Sequence, residues 1–176
     1  MSDRRLGLVL VIGGECSGKT TLCEALASAL PAQLVPETLR TWCEDRGRTP
    51  HPGEQRSIVA GQLLAERAAR RLALFRGRRW IVCDGAPLLT AAYSSEYFGD
   101  DSLLETGLRH ARRANAILLT DPGIAWRSDG FLRDGPEQRA AVHARLLDSL
   151  ARAGLPHQRI HGNLTQRLQT CLALLR

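Results

Sequence analysis

One stretch of the chain, Gly13-Gly14-Glu15-Cys16-Ser17-Gly18-Lys19-Thr20, gathers the residue types that hold phosphate. It satisfies G-x-x-x-x-G-K-[ST], the P-loop. Glycines let backbone amides close around an anion, and a following helix N-terminus adds its positive dipole. Lys19 then reaches the β- and γ-phosphates, and the Thr20 hydroxyl is a ligand for Mg²⁺. Lys19 is also the only lysine, so arginine accounts for the other 23 of the 24 Lys and Arg residues. A surface that needs only charge takes either residue. A phosphate loop needs a slim ammonium, where a planar guanidinium fits poorly. The nucleotide-binding candidates are Gly13, Gly14, Glu15, Cys16, Ser17, Gly18, Lys19, Thr20 and Thr21.

Two carboxylates fall where such a site can use them. Asp84 ends the run Trp80-Ile81-Val82-Cys83, as an acid reaching Mg²⁺ does, directly or through water. The alternative is a turn-forming Asp before Gly85. Glu37, in Val35-Pro36-Glu37-Thr38, follows a second apolar run and is placed to take a proton from an accepting hydroxyl. The alternative there is an acid favoured by a helix dipole. Asp121, before Pro122, is a weaker candidate. Residues 126–139 hold Trp126, Asp129, Arg133 and Arg139 among glycines. Arginines in a lid stabilise charge on a transferring phosphoryl group, and closure keeps water out. Trp42, Tyr93, Tyr97 and Trp126 are the aromatics suited to stacking a flat ring, with packing as the alternative for each.

The elements that must position these groups alternate. Residues 6–12, 33–36, 79–83, 115–120 and 158–161 read as strands. Helices are predicted over 18–30, 38–45, 54–76, 87–97, 101–113 and 136–153, with a last one capped by Asn163. The predicted buried faces are Leu22, Ala25, Leu26, Ala29 and Leu30 in the first helix and Ile58, Ala65, Ala69, Leu72 and Phe75 in the long one. In the last they are Leu164, Leu168, Cys171, Leu172 and Leu175. Strands separated by helices imply an α/β fold in three layers around a parallel five-stranded sheet, the P-loop NTPase arrangement, with a short lid at about 122–139. Ligands in such folds bind at the carboxyl ends of the strands, which gathers Gly13–Thr20, Glu37, Asp84, Asp121 and the loop after His161 at one edge.

The chain has 176 residues, a single domain by length, and 44% hydrophobic residues support a full core. A net charge of +6 fits phosphate-rich ligands, but the arginines are scattered and little interleaved with aromatics, so no nucleic-acid partner is expected. Five cysteines without C-x-x-C argue against a disulfide framework and a zinc site, and for reduced thiols in a cytoplasmic protein. No segment approaches a membrane span. Oligomeric state is not legible.

The chain resembles the ribosylnicotinamide kinase domain of the NadR type, a P-loop kinase group related to the deoxynucleoside kinases. The resemblance rests on Gly13–Leu22, on Val35-Pro36-Glu37-Thr38-Leu39-Arg40, on Trp80–Asp84 and on Ala125-Trp126-Arg127-Ser128-Asp129-Gly130-Phe131-Leu132-Arg133, with Ile160–Leu168 in the family's style. It implies transfer of the ATP γ-phosphoryl to the ribose 5′-hydroxyl of nicotinamide riboside, giving nicotinamide mononucleotide, with Mg²⁺. It also implies Glu37 and Arg40 near the substrate, Asp84 near metal or substrate, and Trp126 and Asp129 at the lid base. Arg133 and Arg139 would be lid arginines, and Gly162 and Asn163 would border the adenine. The chain departs from the family at two places. Ala86 stands where a second acid is usual, and the arginine after Asp129-Gly130 comes one residue late. The DNA-binding and adenylyltransferase parts of some members are not represented, so no transcriptional role is expected.

Two other readings share the phosphate machinery: a kinase for another nucleoside or small alcohol, and a non-catalytic ATP-binding module. A GTP-dependent switch is excluded on sequence grounds. Its N-K-x-D motif needs a lysine outside the phosphate loop, and Asp84-Gly85-Ala86-Pro87 is not D-x-x-G.

Overall fold

The computed structural model describes residues 6–122 and 135–175. Strand β1 (Gly7–Ile12) is buried along its whole length, which is why its sequence is apolar at every position instead of alternating. Its side chains still divide between two faces. Leu8, Leu10 and Ile12 enter one core with Ala69, Ala73, Leu88, Leu89, Val142, Leu146 and Leu150. Val9 and Val11 enter the other with Leu22, Leu26, Ile160, Cys171 and Leu175. Each fully buried Leu or Val contributes about 1.5–3 kcal/mol, so the central strand anchors both layers.

The sheet is parallel, in the order β2-β3-β1-β4-β5. Beside β1 run β3 (Trp80–Asp84) and β4 (Ala116–Thr120), with β2 (Ala32–Val35) and β5 (Gln158–Ile160) at the edges. Helices α1 (Lys19–Ala29) and α7 (Leu164–Leu174) cover one face. Helices α3 (Gln55–Phe75), α4 (Pro87–Phe98), α5 (Leu104–Ala111) and α6 (Pro136–Arg152) supply the core of the other. Helix α2 (Thr38–Arg46) packs on α3, and a 3-10 turn at Pro52–Glu54 leads into that long helix.

The three-layer architecture and every predicted element are present, with ends shifted by up to three residues. Three apolar side chains expected inside are outside. Ala29 is exposed because α1 opens with Lys19 turned inward, which sets the buried face as Lys19, Leu22, Cys23 and Leu26. Phe75, 89% exposed, is the last residue of α3, and Leu164, also exposed, is the first of α7. In α3 the buried face includes Gln55, Gln62 and Glu66, three polar residues that apolar periodicity cannot register. No helix among the described residues is long and apolar enough to cross a membrane.

Candidate active site

The phosphate loop runs from the end of β1 into α1, and its backbone is bent for the purpose. Cys16, at φ 53°, is the only non-glycine in the left-handed region among the described residues, and Gly18, the residue before α1, has φ 79°. Holding a cysteine there costs roughly 1–2 kcal/mol, a cost met where successive amides must converge on an anion. Gly13 is required by contact: a Cβ on it would lie 2.2 Å from Thr120 Oγ1. The Ser17 hydroxyl closes the loop, donating to Gly14 O at 2.7 Å and lying 2.7 Å from Thr120 Oγ1. Lys19 Nζ donates to Gly14 O at 3.2 Å across the loop, where a nucleotide phosphate would compete for it.

Asp84 and Thr20 come together because β1 and β3 are neighbours, with Val11 in register with Asp84. Thr20 Oγ1 donates to Asp84 Oδ2 at 2.6 Å, while Asp84 Oδ1 is buried without a protein partner. A hard oxygen donor beside a hydroxyl, with one carboxylate oxygen to spare, fits Mg²⁺. Asp84 is 3% exposed and its carboxylate faces Thr20.

Glu37 occupies the residue before α2, yet its side chain makes no capping bond to that helix. Gln62, reaching from α3, supplies part of the missing cap, since its Oε1 accepts the Thr38 amide at 2.9 Å. The Glu37 carboxylate instead lies 3.9 Å from Lys19 Nζ. Burial pushes its pKa up, Lys19 and Arg40 pull it down, Asp84 adds to the rise, and the balance is raised. A raised carboxylate pKa suits a group that must accept a proton near neutrality.

A cavity of about 350 Å³ opens beside Lys19 and Glu37, without Thr20 or Asp84 in its lining. Lys19, Glu15 and Glu37 form part of its wall, and Arg40, at its edge, is exposed. Tyr93, Tyr97 and Phe98 of α4 line it as well, with Cys43, Gln55 and the 49–51 loop. That loop is pinned by Glu54, which accepts both Arg48 Nη1 and Nη2 at 2.9 Å and the His51 amide at 2.8 Å. The Arg48 bond, then the His51 amide, draw the Glu54 carboxyl down to about 2. Trp42 is not among the residues lining the cavity, and Arg46 and Arg48 lie over its ring at 4.4 and 4.9 Å.

On the far side of the loop, Arg139 in the first turns of α6 abuts Gly14, where a Cβ would lie 3.0 Å from Arg139 Cγ. Trp126, Asp129 and Arg133 lie outside the described residues. Gly162 and Asn163 follow β5. The Asn163 side chain accepts from Gln166 N at 3.0 Å, so it caps α7 as expected. Asp121 is engaged by Arg159 in a two-pronged pair at 3.0 and 3.1 Å. The residue that sequence reasoning passed over is Arg167. It is 3% exposed and donates to Ser17 O at 2.5 Å, Gly162 O at 2.8 Å and Asp121 O at 3.4 Å. Its signal was an arginine on the apolar face of α7, which reads as a surface charge unless its carbonyl partners are known.

Among solved structures the chain is similar to a NadR protein in complex with NR, at 24% identity and a TM-score of 0.78 over 97% of this chain. It is also similar to a NadR protein in complex with NAD and AMP-PNP, at 21% identity and a TM-score of 0.76 over 97% of this chain. It spans about half of those two chains, 50% and 48% respectively. A deoxyadenosine kinase from M. mycoides with products bound is similar at 11% identity and a TM-score of 0.60, covering 96% of this chain and 98% of that one. These likenesses establish the P-loop kinase fold. No curated protein matches the chain in sequence. A family model, described as an AAA domain, matches residues 8–167, from the start of the central strand to the arginine that ties the loops together. The chain therefore belongs to the AAA domain family.

Proposed function

We propose that this chain is an ATP- and Mg²⁺-dependent kinase that phosphorylates the ribose 5′-hydroxyl of nicotinamide riboside, giving nicotinamide mononucleotide. The observation that carries the reading is the shared wall of the cavity: Lys19 of the phosphate loop and Glu37 stand 3.9 Å apart at a cleft lined by Tyr93, Tyr97 and Phe98. A phosphate-binding ammonium, a carboxylate and three aromatic side chains thus line one cavity. The likeness to a NadR protein in complex with NR supports the choice of acceptor.

In this reading Glu37 takes the proton of the 5′-hydroxyl as its oxygen attacks the γ-phosphorus, and the bond to the β–γ bridging oxygen breaks in line. Lys19 exchanges Gly14 O for phosphate oxygens and holds the transferring group. Thr20 and Asp84 would hold Mg²⁺, which supplies charge neutralisation at the phosphates. Arg139, beside the loop, and Arg133 would face the same charge from the lid, with Trp126 and Asp129 at its base. Arg40 would sit at the acceptor's rim, and Gly162 and Asn163 beside the adenine. In this reading the reaction takes place in the cytoplasm.

A kinase for another nucleoside is the second reading, favoured by Ala86 in place of the family's second acid. ADP release across a panel of nucleosides separates the two. Nicotinamide riboside should be the best acceptor, Lys19→Ala should abolish release, and Glu37→Gln should cut the rate about 10²–10⁴-fold with little change in ATP affinity. Turnover of deoxynucleosides alone would remove the acceptor assignment. Absence of acceptor-dependent ADP above the Lys19→Ala control would remove the kinase.

A further inference from the structure

The buried face of α3 carries three polar side chains; the acceptor oxygens of two of them are engaged, while Gln62 Nε2 is buried without a partner. Gln62 Oε1 holds the Thr38 amide, and Glu66 holds Arg70 at 3.0 Å and His110 at 2.5 Å. Gln55 differs. It is 2% exposed, it lines the acceptor cavity, and its Oε1 is buried without a hydrogen-bond partner. Leaving a carbonyl oxygen out of water and unpaired is unfavourable, and such an atom at a ligand cavity marks a place where the ligand completes the bond.

The chemistry of that ligand follows from the atom. A carboxamide oxygen accepts only, so its partner must present an N–H or O–H. The same cavity has Tyr93 and Tyr97 with ring centroids 5.9 Å apart and Phe98 beside them, a wall suited to a flat ring.

We propose that Gln55 reads the amide or amino edge of the acceptor's ring and is the residue that rejects acceptors lacking an N–H donor there. This rests on the kinase reading above. For nicotinamide riboside the donor is the ring carboxamide. Nicotinic acid riboside presents a carboxylate, which offers no donor and sets a negative charge against the Gln55 oxygen. A site built around such a bond discriminates far more strongly than an apolar pocket does.

The test is the ratio of kcat/KM within pairs that differ only in the donor. The pairs are nicotinamide riboside against nicotinic acid riboside, adenosine against purine riboside, and cytidine against pyrimidin-2-one riboside. The native chain should favour the donor-bearing member by at least about 100-fold in the scaffold it uses. Gln55→Met should bring that ratio to within about five-fold while leaving ADP affinity and thermal midpoint close to native. A purely structural role for Gln55 would move both members equally. A native ratio near one, or a ratio retained in Gln55→Met, overturns the proposal. The native ratio decides alone if the variant does not fold, and dissociation constants for the same pairs replace rates if turnover is too slow to measure. A strong preference for adenosine or cytidine over its partner, with neither nicotinamide-type riboside used, would sink the nicotinamide reading and leave Gln55 standing.

Discussion

Arg167 offers a sharp test of how the fold holds its phosphate loop. A peptide unit is planar, with C=O and N–H pointing opposite ways. By holding Ser17 O at 2.5 Å, the Arg167 guanidinium turns the Ser17–Gly18 peptide so that the Gly18 amide faces away from α7. The same side chain takes Gly162 O at 2.8 Å and Asp121 O at 3.4 Å, so one residue joins the loops after β1, β4 and β5. Methionine at 167 fills similar space and donates nothing. A hydrogen bond to a charged group contributes about 1.5–3 kcal/mol, so the two shorter bonds represent roughly 3–6 kcal/mol. Methionine also avoids the desolvation of a buried guanidinium, which offsets part of that loss. We expect a net loss of about 3 kcal/mol, a fall of roughly 6–12 °C in thermal midpoint for a chain of this size.

The functional consequence is separable from the structural one. Once the Ser17–Gly18 peptide is no longer held, ADP should bind about ten-fold more weakly, or about 1.4 kcal/mol. Arg159→Met is the control. Its guanidinium is 57% exposed and pairs with Asp121 at the surface, where such pairs contribute under about 1 kcal/mol. Thermal melts and ADP titrations of both variants decide the matter. Equal shifts in midpoint, or native ADP affinity in Arg167→Met, would refute the assignment of Arg167 as the positioning residue of the loop.

Two further outcomes follow from the packing. A Cβ at Gly107 would lie 2.7 Å from Leu88 Cα and 3.0 Å from its amide nitrogen, so Gly107→Ala must force α5 away from α4; we expect a loss of about 1–3 kcal/mol in urea melts, against the small gain usual for Gly→Ala in a helix. At Glu66, burial pushes the pKa up but the bonds to His110 and Arg70 outweigh it and the net value is lowered, so its folded pKa lies below the unfolded value of about 4.3; the stabilisation is present above that value and lost as pH falls through the folded one. Glu66→Gln should cost about 3 kcal/mol at pH 7, and its stability should fall less steeply in acid than the native chain's; parallel curves would show that the group does not titrate as described.

What was legible in the sequence follows from how each part is built. Strand β1 and the loop after it are specified by local backbone demands, so Gly13, Gly18 and Lys19 announce themselves. Asp84 was legible because a strand end beside the loop is a fixed place in this topology. Glu37 was legible as a position but not as a choice between roles. Gln62 supplies a cap bond to Thr38 from 24 residues away, and no local pattern encodes that contact. Gln55, Gln62, Glu66 and Arg167 share one difficulty. Each is a polar side chain in a buried position, which apolar periodicity does not register.

The same contrast bears on the acceptor. The phosphate side is held largely by backbone groups and glycine contacts, while the cavity is walled by side chains of α2, α3, α4 and the 49–51 loop. Ala86, the family departure that favours a different acceptor, is 3% exposed at the residue before α4 and is not among the residues lining the cavity. It precedes Pro87, which has no amide hydrogen, so the helix start it leaves without a side-chain cap has one donor fewer to satisfy. An alanine there is therefore tolerable on local grounds and carries little information about the ring that enters the cleft. Gln55, by contrast, lines the cleft and carries a buried Oε1 without a partner, so the identity of the acceptor is better sought in the donor proposed for Gln55 than in the acid that Ala86 replaces.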